Sequence, residues 1–71
     1  MSLKDLGYDP HMENETVLIY RKILGDSEIT LEINKITNDV KKFVNDFRKK
    51  IEIEPETVEI ILIKNAARGI D

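Results

Sequence analysis

The chain has 71 residues and a formal net charge of −3, with 11 basic and 14 acidic side chains, one histidine and no cysteine. A length of this order makes one domain that buries only about 60% of the surface its unfolded chain exposes, and the lack of cysteine excludes disulfides and thiolate metal sites. Without those staples a second chain is the expected source of extra burial, while the mixed charge weighs against nucleic acid and anionic membranes.

Met1 to Leu6 carries no apolar stretch of the kind that directs export. No apolar run approaches the ~20 residues needed to cross a bilayer, so a cytoplasmic location is expected. Residues 1–14 read as a leader with Gly7 and Asp9-Pro10, and with Leu3, Leu6, Tyr8 and Met12 as its apolar positions. It is expected either as a tail or as a strap over one face of the domain.

Residues 15–24 read as a strand, since Val17-Leu18-Ile19-Tyr20 is β-branched and aromatic. Gly25-Asp26 has the composition of a two-residue type II′ turn. Ser27 to Ile33 then alternates, with Ile29, Leu31 and Ile33 on one side and Glu28, Thr30 and Glu32 on the other. A two-residue turn pairs Leu24 with Ser27, Tyr20 with Leu31 and Leu18 with Ile33. A three-residue loop would instead reverse every side chain of one strand. In the first register Leu18, Tyr20, Ile29, Leu31 and Ile33 share a face, and Val17, Ile19 and Ile23 lie opposite.

From Asn34 to Lys50 a helix is expected: Ile36, Val40, Phe43, Val44, Phe47 and Ile51 fall at offsets 0, 4, 7, 8, 11 and 15, a single apolar stripe. Asn34 would cap its start, and Arg48-Lys49-Lys50 would complement the dipole at its end. Glu52 to Glu56 is an acidic connector broken by Pro55. Thr57 to Lys64 reads as a last strand, apolar on both sides, and residues 65–71 as a flexible tail. The elements assemble into an α+β domain over residues 15–64, of order β-β-α-β. Its three-stranded antiparallel sheet has spatial order 2-1-3, with one helix packed on one face.

His11, the single histidine, lies among Asp9, Glu13 and Glu15 in the leader and reads as a solvated loop residue rather than a metal ligand. The acidic group Glu52, Glu54, Glu56 and Glu59 reads as solvated surface. Ser2 and Ser27 have no histidine beside them, and Gly7, Gly25 and Gly69 are too scattered to cradle a phosphate. No cofactor is expected, and no catalytic role.

The functional expectation is therefore a protein–protein interaction module, either a homodimer or a small adaptor or inhibitor. Contact is expected through the last strand and the helix-free sheet face, at Val58, Ile61, Ile63, Val17 and Ile19, where apolar surface exceeds what one helix covers. The alternative is nucleic-acid binding by a basic helix face of Lys35, Lys42 and Lys49 with Lys41 and Arg48. Asp39 and Asp46 interrupt that face.

Overall fold

The hairpin centred on Gly25-Asp26 is present, and of the two registers left open it takes that of the two-residue turn, with Leu24 opposite Ser27, Tyr20 opposite Leu31 and Leu18 opposite Ile33. Gly25 takes φ +63° and Asp26 does not share the positive sign, the pattern of a type II′ turn. The hairpin sits inside a larger sheet than expected. A computed structural model describes residues 1–70. After a 3₁₀ turn over Lys4–Leu6 it shows β1 (Asp9–Glu13), β2 (Val17–Leu24), β3 (Ser27–Asn34), β4 (Val40–Asp46), β5 (Lys49–Ile53) and α1 (Thr57–Ala67). The five strands lie in the order β1-β2-β3-β4-β5, each antiparallel to its chain neighbour. This overturns the three-stranded sheet of order 2-1-3.

Residues 34–50 hold no helix. Asn34 Oδ1 accepts hydrogen bonds from the backbone N–H groups of Ile36 (2.9 Å) and Thr37 (3.0 Å), an Asx turn in place of a helix cap. Asn38 follows at φ +66°. The segment opens with the weak helix formers Thr37, Asn38 and Asp39 in succession and carries β-branched Ile36, Val40 and Val44, which outweigh its lysines. Its apolar stripe is a coincidence of two strands. Val40, Lys42 and Val44 face one side of the sheet, and Ile51 returns to the same side because it pairs with Val44.

The expected strand over Thr57–Lys64 is the body of α1. A short apolar run cannot be assigned to helix or strand by its period, and here the ends decide. Pro55 precedes Glu56, whose side chain accepts the backbone N–H of Glu59, while the Glu59 side chain accepts the N–H of Glu56 at 2.8 Å. That reciprocal capping box satisfies amides that a helix start otherwise orphans.

α1 lies across the face that carries Leu18, Leu31 and Ile33. With Leu3, Tyr8 and Ile63 these residues make the buried core, and Ala66 and Ala67 pack against it. The leader thus supplies two core side chains and a whole strand, and residues 65–67 belong to α1. Asp71, the end of the expected tail, lies outside the described residues. The opposite face of the sheet, with Val17, Ile19, Thr30 and Phe43, has no helix over it. At its centre the Thr30 hydroxyl is buried without a hydrogen-bond partner among the described residues.

Phe47 and Arg48 form the turn between β4 and β5, and Phe47 adopts φ +54° while 93% exposed. A bulky L-residue is strained there, and solvent returns little. Phe47→Asn is expected to raise stability by about 1 kcal/mol in urea denaturation, because asparagine tolerates the left-handed region. An unchanged midpoint would show that the turn does not hold this conformation.

Candidate functional site

Two features concentrate chemistry. One is internal. Lys42 on β4 points to the helix side of the sheet, where its Nζ donates to Glu59 Oε1 (2.9 Å) and Oε2 (3.0 Å). The Tyr8 hydroxyl donates to Glu59 Oε2 at 2.5 Å. Both Tyr8 and Glu59 are buried. Burial pushes the Glu59 carboxyl up, but the hydrogen bonds from Tyr8, the Glu56 amide and Lys42, with the lysine's charge, outweigh it and hold the group below the usual carboxylate range. Tyr8 moves the other way. Burial, the hydrogen bond to Glu59 and the charges of Glu59 and Glu56 all hold its proton on.

The network joins residues 51 positions apart in the chain. It ties the leader, the sheet and the start of α1 together, so its role is a clasp. No local pattern announces it. Glu59 reads from the sequence as one more solvated carboxylate, and the structure corrects that by burying it. The nearest signal is Lys42, a charge between Leu31 and Ile53 in a row of the inner face.

The second feature is the outer edge of the sheet at β5. The edge at β1 is blunted by Pro10 and by a bulge between Pro10 and Met12. β5 has neither proline nor bulge; its only edge protection is charge, at Lys49, Lys50 and Glu52, and all five of its residues are exposed, as are those of β1. The two-residue turn makes Asp46 and Lys49 the closing pair with β4. By the alternation of an antiparallel ladder, Lys49, Ile51 and Ile53 therefore direct their backbone groups at β4, whereas Lys50 and Glu52 direct theirs outward. Ile51 (50% exposed) and Ile53 (37%) lie on the helix side beside Val44, as an apolar margin that α1 leaves open. On the other side Lys50 Nζ sits 4.3 Å from the centre of the Phe43 ring, a cation–π contact.

The residues expected to bind a partner are separated by the fold. Ile63 is fully buried and takes part in the core, so it presents no surface. Val58 and Ile61 lie on α1 rather than on a strand, and Ile61 is 53% exposed on its solvent side. Val17 and Ile19 are on the helix-free face as expected, half-buried on β2. The five basic residues share no helix face. Lys35 is in the turn before β4, paired with Glu13 at 2.8 Å and with the Asn14 carbonyl at 3.0 Å. Lys41 lies on the helix-free face, Lys42 is in the clasp, and Arg48 and Lys49 sit at the far hairpin.

Among the described residues no group of three or more histidine, aspartate or glutamate side chains is arranged to hold a metal ion, and no helix is long and apolar enough to cross a membrane. No protein-family model, curated protein or solved structure matches the chain.

Proposed function

We propose that this chain is a non-catalytic protein–protein interaction module that accepts an extended strand along β5. The observation that carries the reading is the contrast between its two sheet edges: β1 is protected by proline and a bulge, while β5 offers outward backbone groups beside an apolar margin. Main-chain hydrogen bonds from Lys50 and Glu52 would supply affinity, and Ile51, Ile53 and Val44 would take the partner's apolar side chains. The saturated, enclosed state of the Tyr8–Glu59–Lys42 cluster favours a structural over a catalytic use of those groups.

The test uses a fluorescently labelled peptide with the sequence of residues 48–54 and the variant Glu52→Pro. Proline at 52 removes one outward N–H and leaves the ladder to β4 intact, so melting temperature should hold within a few degrees. Peptide anisotropy is expected to saturate with the wild-type chain and to weaken at least tenfold with the variant. A wild type that binds no peptide, or a folded Glu52→Pro that binds it equally well, would count against the reading.

A further inference from the structure

We infer that the strand received by β5 is the β5 of a second copy of this chain, running antiparallel about a two-fold axis through Ile51. The inference rests on the strand-accepting edge proposed above and adds the identity of the occupant. Read from 48 to 54, the segment is Arg-Lys-Lys-Ile-Glu-Ile-Glu, a basic half and an acidic half about one isoleucine. A two-fold axis perpendicular to the sheet preserves its faces, so residue 51 + n of one copy faces residue 51 − n of the other. Lys50 then lies opposite Glu52, twice by symmetry, on the helix-free face. Beyond the strand ends, Arg48 of the turn and Glu54 after Ile53 continue the same order of charge. On the helix side Ile51 meets Ile51, while Ile53 lies opposite Lys49 of the other copy, so the apolar contact centres on the Ile51 pair.

The hydrogen-bond pattern agrees with the charges. In this register Lys50 and Glu52 form the hydrogen-bonded pairs, and theirs are the backbone groups that β4 leaves free. Neighbouring two-fold registers fail on like charges directly opposed, which destabilises a strand pair. An axis at residue 50 sets Lys50 against itself, and one at 52 sets Glu52 against itself. An axis at 49 opposes Arg48 to Lys50, and one at 53 opposes Glu52 to Glu54. Only Ile51 as pivot makes every facing charge pair opposite in sign. Self-complementarity of that kind is what an isologous interface requires.

Light scattering on the full chain across a concentration series tests this, with the wild type expected to pass from monomer to dimer as concentration rises. Lys50→Glu and Glu52→Lys should each weaken association roughly tenfold or more, because two symmetry-related pairs turn repulsive. The combination of both substitutions should return association to within a few-fold of wild type. Lys50→Glu also loses the contact with Phe43, so Glu52→Lys serves as the control for fold, with circular dichroism on each variant. Single variants that dimerise like wild type, or a folded double variant that does not recover, would overturn the register. A wild type that stays monomeric while still binding the residue 48–54 peptide would overturn the second copy and leave the strand-accepting edge standing. A monomer that binds no peptide would remove both.

Discussion

Glu59→Ala is expected to cost about 3–5 kcal/mol, the range for removing one partner of a buried ion pair, from a domain whose total stability is roughly 4–10 kcal/mol at its size. Most molecules of the variant should be unfolded in modest urea. The loss has three parts. Lys42 would keep a charge beneath α1 with no counter-charge, the Tyr8 hydroxyl would lose its acceptor, and the Glu56 amide would lose its cap. Replacing all three side chains with apolar ones of similar volume (Tyr8→Phe, Lys42→Met, Glu59→Leu) should recover much of the stability, since no polar group is then stranded. Urea denaturation of the two variants beside wild type separates these outcomes, and equal loss in both would mean that packing, not charge, holds the clasp.

The clasp also fixes a pH response. Glu59 titrates below its ordinary value in the folded chain, so its stabilisation is complete above the unfolded carboxylate pKa of about 4.3 and is lost as pH falls through the folded value. Tyr8 has its pKa raised on folding, so its part is present below the unfolded value of about 10 and declines as pH climbs above it. Denaturation midpoints measured between pH 2 and 7 should drop toward acid in the wild type. The Glu59→Leu triple variant should show a shallower drop.

Ile63→Ala should cost about 2–5 kcal/mol, as expected for emptying a fully buried aliphatic site, whereas Ile61→Ala should fall within about 0.5 kcal/mol of wild type. The two isoleucines are two positions apart and would be equivalent on a strand. On α1 they point in opposite directions, Ile63 among Leu3, Tyr8, Leu18, Leu31 and Ile33, and Ile61 into solvent. Thermal or urea unfolding of the pair is therefore a direct test of the helical assignment. Similar losses at both positions would restore a strand.

The hairpin of β2 and β3 was legible because its evidence is local: Gly25-Asp26 sets the turn, and a clean alternation over β3 sets the face. The misread half of the chain failed for a different reason in each segment. Between Asn34 and Lys50 the apolar spacing satisfied a helix by accident, and composition and turn chemistry, with Asn34 starting an Asx turn, decided for strands. Over residues 57–64 the isoleucines suit a strand by propensity, and the Glu56–Glu59 capping box overrode them. The clasp was not legible, because Tyr8, Lys42 and Glu59 meet only after every other element is placed. What the sequence does carry, once β5 is known to be an edge, is the charge reversal about Ile51.

A sheet in which every strand pairs with its chain neighbour can zip up hairpin by hairpin, each step closing a loop of only a few residues at small entropic cost. The join between the two ends of the chain spans 51 positions and so closes a longer loop, at higher entropic cost, than any strand pairing. An opening there that frees the leader and α1 would uncover Leu18, Leu31 and Ile33, half of the buried core. The molecule is thus a zipper closed by a long-range latch, and Glu59→Ala should be cleaved by protease faster than wild type.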